Sequence, residues 1–319
     1  MKVLLTGATG FVGRGVLEAF AAIPELRLAV AVRTRLSGEY PGVEIHSIDG
    51  LNGAQDWTSA LAGVDVVVHA AARVHVMCDT ADDPLAEFRA VNVEGTLNLA
   101  RQAAAAGVRR FIFISSIKVN GELTPPGRPF RAEDRPAPAD PYGQSKLEAE
   151  RALSQLAEAH AMEWVVIRPP LIYGPGVGAN FASLMRAVQR QLPLPFALVR
   201  NRRSLVARDN LVDLLRVCLG HERAANQVFL VSDDHDLSSA ELCRRLAATL
   251  GVRPRLLPVP VALLQGLAAL FGRRAQAQRV LGSLQVDIGK TRELLGWRPP
   301  VSVDQALEAT ARCYRESRP

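Results

Sequence analysis

The sequence predicts an α/β protein built on a doubly wound parallel sheet, with a smaller C-terminal α/β substrate lobe. Three observations carry that reading. Short β-rich runs alternate with helix-length stretches through the first half of the chain. The runs are apolar throughout rather than at every second residue, as expected for strands covered on both faces. A glycine-rich turn follows the first run directly, and alternating strands and helices stack as βαβ units into one sheet.

In order, Val3–Leu5 reads as the first strand and Phe11–Ala22 as the first helix. Leu28–Val32, Val64–His69, Phe111–Ser115 and Trp164–Ile167 follow as strands, and Pro84–Ala106 and Tyr142–His160 as the long helices. The rhythm then breaks at Pro169, Pro170, Gly174, Pro175, Gly176 and Gly178. Residues 1–170 are therefore expected to form a dinucleotide-binding domain. Residues 171–319 are expected to form mainly the substrate lobe, with some chain returning to the sheet. Ligands of such folds bind at the carboxyl edge of the strands.

The chain has 319 residues, 48% hydrophobic and 22% charged, which excludes a disordered chain. Cys78, Cys218, Cys243 and Cys313 contain no CxxC pair, so neither a disulfide framework nor a zinc site is expected, and a reducing, cytoplasmic location is. His46, His69, His75, His160, His221 and His235 lack metal-ligand spacing. Asp79, Asp82 and Asp83 read as a solvated helix start before Pro84, and Trp57, Trp164 and Trp297 as core. The longest apolar stretch, Leu256–Phe271, is broken by Pro258, Pro260, Gln265 and Gly266. A bilayer span takes about 20 apolar residues, so this stretch reads as a core or cleft-lining helix, and no membrane partner is expected.

Gly7-Ala8-Thr9-Gly10-Phe11-Val12-Gly13 lies between first strand and first helix. Glycines there permit a tight turn and let main-chain N–H groups approach a dinucleotide diphosphate at a helix N-terminus. An NAD site usually adds an acid about 20 residues on. Here the second strand runs into Arg33-Thr34-Arg35 with no acid. These arginines either pair with a 2′-phosphate or are solvated surface; the first reading favours NADP(H) over NAD(H). Tyr142-Gly-Gln-Ser-Lys146 sets a phenol and an ammonium one helical turn apart. A lysine so placed favours the phenolate, bringing a poor base toward working range. Ser115 and Ser116 end a strand and offer a hydroxyl at the sheet edge.

GATGFVG, SSIKVNG, YGQSK and RPPLIYGP together resemble the extended short-chain dehydrogenase/reductase family over almost the whole chain. The resemblance implies a Rossmann fold with Ser116, Tyr142 and Lys146 as the catalytic triad. It also implies that Ala70, Ala71 and Ala72 run along the cofactor, that Asn92 stabilises the sheet and that Pro169 lies near the nicotinamide. Asn180, Arg203 and Arg279 correspond to the family's nucleotide-sugar ligands. Ile117-Lys118 stands where the sugar dehydratases carry Asp-Glu, so elimination is not expected. Arg168-Pro-Pro-Leu171 lacks the asparagine that many relatives have there. Relatives also dimerise through two helices, which makes 84–106 and 142–160 candidates for a homodimer interface.

Among members of this family, the stretches ARVHVM, FISSIKVNGE and GSLQVD are similar to reductases that form UDP-N-acetylquinovosamine. The expected function is thus NADPH-dependent reduction of the C4 ketone of a UDP-linked 4-keto-6-deoxy-hexose, for surface-polysaccharide synthesis. The alternative is a UDP-glucose or UDP-N-acetylglucosamine 4-epimerase with tightly bound NAD. Third come a non-sugar ketone reductase and a non-catalytic dinucleotide sensor, the latter disfavoured because Tyr142 and Lys146 are both kept. The net charge of +6 is ascribed partly to Arg33, Arg35, Arg203 and Arg279 at phosphates, not to nucleic acid, whose binding motifs are absent.

Overall fold

Strands β1 (Lys2–Thr6), β2 (Arg27–Val32), β3 (Glu44–Ser47), β4 (Val66–His69), β5 (Arg110–Ile114), β6 (Glu163–Arg168), β7 (Leu171–Tyr173), β8 (Leu205–Ala207) and β9 (Gln227–Leu230) arise in chain order. In the computed structural model, which describes residues 1–74 and 83–316, seven of them form one parallel sheet ordered β3-β2-β1-β4-β5-β6-β9. His75, Cys78, Asp79 and Asp82 lie outside the described residues. The strand order reverses between β1 and β4, which leaves a crevice at their carboxyl ends.

Both faces of the sheet are covered, as the unbroken apolar runs predict. Val3 and Leu5 of β1 pack on one side with Val16, Leu17 and Phe20 of helix Phe11–Ala21. Leu4 packs on the other with Leu99 and Leu153, from helices Thr96–Ala105 and Pro141–Ala159. A further core gathers Tyr173, Phe181, Met185, Leu246 and Leu307 from the later chain, beside the small parallel pair β7–β8. β9 brings residues after 220 back to pair with β6.

Several expectations are corrected. Residues 84–105 are not one regular helix: Pro84–Arg89 passes into a π-helical turn, Ala90–Gly95, before Thr96–Ala105. Asp83 caps the first of these, accepting from Ala86 N at 3.0 Å. Trp57 and Trp297 are core, but Trp164 is only half-buried. Of the core and cleft-lining alternatives for Leu256–Phe271, the structure shows the second: helix Val261–Leu270 buries none of its residues and walls an open groove. Among the described residues no helix is long and apolar enough to cross a membrane.

Candidate active site

The glycine turn closes on itself through Gly10 N donating to Gly7 O at 2.9 Å. Gly7 has φ +76°, and a Cβ there would lie 2.7 Å from Ala71 N; a Cβ on Gly13 would lie 2.0 Å from Gly7 O. Gly10 starts helix Phe11–Ala21 without a side-chain cap, so the first-turn N–H groups of Phe11, Val12 and Gly13 face outward unspent. Thr9 and Gly10 are exposed at its mouth. This cradle, lacking any side chain that would fill it, fits a dinucleotide diphosphate.

The segment after β4 runs alongside. Ala70 N donates to Thr6 O and Ala71 N to Thr6 Oγ1, both at 3.3 Å, and Ala72 continues the path. The π-helical turn presents Asn92 to this segment. Its Oδ1 accepts from Arg73 N at 2.8 Å, and its Nδ2 donates to Arg73 O and Ser145 Oγ, each at 3.0 Å. Asn92 thereby couples the strand extension to the helix that carries Tyr142 and Lys146.

Beneath lies His69, which the sequence reading set aside. It is fully buried between Thr6 Oγ1 (2.7 Å) and Thr96 Oγ1 (3.0 Å). Burial, with the Lys146 charge beside it, pushes its pKa down to about 3, so the ring is neutral.

Helix Pro141–Ala159 begins at Asp140, whose carboxylate accepts from Gly143 N at 2.7 Å and pairs with Lys118. Tyr142, in the first turn, sets its phenol beside the Ser116 side chain. Burial raises the phenol well above its ordinary range, the Asp140 carboxylate raises it further, and only the Ser116 side chain lowers it. Lys146 Nζ donates to Ile114 O at 2.9 Å and sits 4.3 Å from the Phe113 ring centre. Burial pushes this amine down to about 7, opposed by the Glu150 carboxylate. In this geometry the Lys146 amine bonds a main-chain carbonyl, and burial weakens its hold on the proton.

The two strand-end serines part company. Ser116 turns to Tyr142 and caps the turn Ile117–Val119, while Ser115 donates to the buried carboxylate of Glu150. Glu150 is held in turn by Arg168 at 2.6 Å. Pro169, buried just past β6, accepts from Ile117 N at 3.0 Å and fixes the loop that carries Ser116.

On the substrate side the expected residues differ in setting. Arg203 is largely enclosed, its Nη1 donating to Gly282 O at 3.2 Å, and burial lowers its pKa. Arg279 is 41% exposed, 3.7 Å from Glu122, which also approaches Lys118 at 3.8 Å. Asn180 is exposed in the first turn of helix Ala179–Gln189, whose N-cap is Gly178. Arg33 and Arg35 are exposed and line a cleft of about 470 Å³ past β2, which Glu39, Tyr40 and Ser47 also enter. Glu39 is an acid that spacing along the chain did not bring to notice, because it follows a turn. Asp140, Lys118 and Glu150 were missed too; only Glu150, one turn after Lys146, carried a sequence signal. Among the described residues no cluster of metal-ligating side chains occurs.

The fold and this site define a Rossmann-type dinucleotide-binding enzyme of the short-chain dehydrogenase/reductase class. The chain belongs to the NAD dependent epimerase/dehydratase family, whose sequence pattern it matches over residues 3–232. It is 48% identical over 317 residues to a UDP-glucose 4-epimerase of Vibrio cholerae, covering 99% of this chain and 96% of that one. In structure it is similar to the NAD complex of UDP-glucuronic acid 4-epimerase from Bacillus cereus, with TM-score 0.80, 20% identity and 99% of each chain covered. It also resembles UDP-glucose 4-epimerase from Thermotoga maritima with UDP-glucose, at TM-score 0.78, 21% identity and 99% coverage of each.

These findings overturn the expected 4-keto-6-deoxy-hexose reductase, because the 48% identical relative is a 4-epimerase. The physical reason is that both reactions move hydride at C4 with the same Ser-Tyr-Lys set, so the residues in the triad do not distinguish them.

Proposed function

We propose that the protein is a UDP-sugar 4-epimerase that retains NAD. The observation that carries this reading is the 48% identity to a UDP-glucose 4-epimerase over 99% of the chain, with Ser116, Tyr142 and Lys146 together at the end of β5.

When bound, NAD supplies reversible hydride exchange at sugar C4 and a positive charge beside the phenol. Its diphosphate would rest on the first-turn N–H groups of Phe11, Val12 and Gly13, with Gly7, Thr9 and Gly10 forming the turn. Ala70, Ala71, Ala72, Asn92 and Pro169 would border the rest, and Lys146 would bond the nicotinamide ribose. Tyr142 takes the proton from the C4 hydroxyl and returns it to the C4 oxygen, while Ser116 holds that oxygen. A phenol raised by burial and Asp140 needs a neighbouring cation to ionise, so chemistry is coupled to cofactor occupancy.

NAD is our reading of the cofactor in preference to NADP. Arg33 and Arg35 supply charge for a 2′-phosphate, but Glu39 in the same cleft accepts from a free 2′-hydroxyl and repels a phosphate. Arg203 would take the UDP diphosphate, since its enclosed guanidinium meets a neutral carbonyl. Arg279 and Asn180 would serve from the rim, within a substrate lobe drawn from residues 171–319. Helices from 84–105 and 141–159, joined in the chain by the Arg89–Glu148 pair at 2.7 Å, remain our choice for a homodimer interface.

The test is incubation of purified protein with UDP-glucose and no added cofactor. Interconversion at C4, abolished by Tyr142→Phe with NAD retained, is the expected result. Turnover that appears only with stoichiometric NADPH and a keto-sugar would refute the reading.

A further inference from the structure

Helix Val261–Leu270 is apolar but for Gln265 and yet buries no residue. Such a helix is stable only against another apolar phase. Leu263, Leu267, Leu270 and Phe271 recur at helical spacing and stand out from the surface, the last two 78% and 72% exposed. With helix Arg274–Leu281 and the Pro195–Phe196 turn, it walls an open groove of about 670 Å³ lined by Leu264, Leu267, Phe271 and Val280. Leu257 and Leu198 extend the apolar surface beside it; main-chain bonds between 194–197 and 255–257 bring those segments together.

The segments that build this surface, residues 194–198 and 255–281, carry arginines and no acidic residue, and Glu122 approaches them only at Arg279, at 3.7 Å. Arg255, Arg273 and Arg274 are exposed at the two ends of the apolar hairpin, and among the described residues none of the three forms an ion pair. A two-fold contact with a second copy through this face would oppose like charges. A protruding leucine–phenylalanine ridge flanked by arginines is instead complementary to an anionic lipid surface, with the ridge among the acyl chains and the guanidinium groups at the phosphates.

We propose that residues 256–281 form a peripheral docking surface for an anionic phospholipid bilayer. The chain lies on the membrane through this hairpin and does not cross it.

The experiment is co-sedimentation of the full chain with vesicles of phosphatidylcholine alone or of equimolar phosphatidylcholine and phosphatidylglycerol. Binding is expected only to the anionic vesicles and should fall with added salt. Arg273→Gln and Arg274→Gln should each weaken partitioning about five-fold. Leu270→Glu combined with Phe271→Glu should lower it at least about ten-fold. Turnover of a water-soluble UDP-sugar should be unchanged in all three variants, which also shows that they fold. No binding to anionic vesicles overturns the proposal. So does binding that survives the Leu270 and Phe271 changes. A dimer in the absence of lipid that Phe271→Glu converts to a monomer assigns the face to a second copy and overturns it as well.

Discussion

Arg168 and Glu150 form a two-point ion pair in the floor of the site. Nε meets Oε1 at 3.0 Å and Nη2 meets Oε2 at 2.6 Å, with both side chains almost fully enclosed. Arg168 adds Asn120 Oδ1 at 3.0 Å, and Glu150 accepts from Ser115. One pair therefore ties together the end of β5, the end of β6 and the helix of Tyr142 and Lys146. Removing one partner leaves the other as an uncompensated buried charge. Glu150→Ala should cost about 3–5 kcal/mol of unfolding free energy, and Glu150→Ala with Arg168→Met should cost less than the two single changes added. Guanidinium denaturation of the three variants checks this; additive losses would mean that the pair is not coupled.

Two buried bases set the dependence of stability on pH. His69 is held neutral with a pKa of about 3 against 6.5 unfolded. Between those values the unfolded chain binds the extra proton, so stability falls as pH falls, by about 2 kcal/mol at about pH 5. Lys146 is lowered from 10.5 to about 7. Across that window the unfolded chain again binds more protons, so stability rises with pH. Denaturation midpoints of wild type and Lys146→Met, measured from mildly acidic to alkaline pH, should differ in slope only above about 7. A wild-type midpoint that fell with pH between about 7 and 9, below the range in which the buried Cys218 and Cys243 thiols lower stability, would contradict the burial of a low-pKa amine.

Much of this architecture can be read along the chain, for reasons tied to particular residues. β1, β2, β4, β5 and β6 stand out because burial on both faces demands unbroken apolar runs such as Phe111–Ile114. β3 does not: Glu44-Ile45-His46-Ser47 lies at the sheet edge, with Ile45 exposed, so no apolar run marks it. β9 joins the sheet only through tertiary pairing with β6. The glycine turn and the Tyr142–Lys146 spacing are local, hence visible. Asp140 with Lys118 and Glu150 with Arg168 are separated by 22 and 18 residues, and no spacing rule joins them. Epimerase and reductase share the triad, so that distinction rested on Arg33, Arg35 and the stretches ARVHVM, FISSIKVNGE and GSLQVD, and it failed.

Arg203 should show stability and binding moving in opposite directions. Among the described residues its enclosed guanidinium has a single carbonyl partner, Gly282 O, and burial already lowers its pKa. Arg203→Met removes a poorly compensated charge, so the ligand-free protein should gain about 1 kcal/mol. The same change deletes a charge-assisted contact to a diphosphate, and UDP should bind about ten- to a hundred-fold more weakly. Thermal unfolding and calorimetric titration with UDP measure the two effects. Unchanged UDP affinity would remove Arg203 from the substrate site.

The three glycines of the nucleotide turn should respond differently, because only two of them are packed against the protein itself. A Cβ on Gly13 meets Gly7 O at 2.0 Å, and one on Gly7 meets Ala71 N at 2.7 Å with φ at +76°. Both contacts are with main chain, which cannot swing aside, so Gly13→Ala and Gly7→Ala should each destabilise the fold by about 2–3 kcal/mol. Gly10 has φ −79°, and the nearest protein atom to its Cβ is Gly7 O at 3.3 Å. Gly10→Ala should therefore cost no more than about 1 kcal/mol in stability. Its methyl would nevertheless occupy the space through which main-chain N–H groups reach the diphosphate, so NAD should bind at least about thirty-fold more weakly. Melting curves and fluorescence titration with NADH separate the two losses, and a Gly10→Ala variant that binds dinucleotide like wild type would mean that the diphosphate does not rest on this turn.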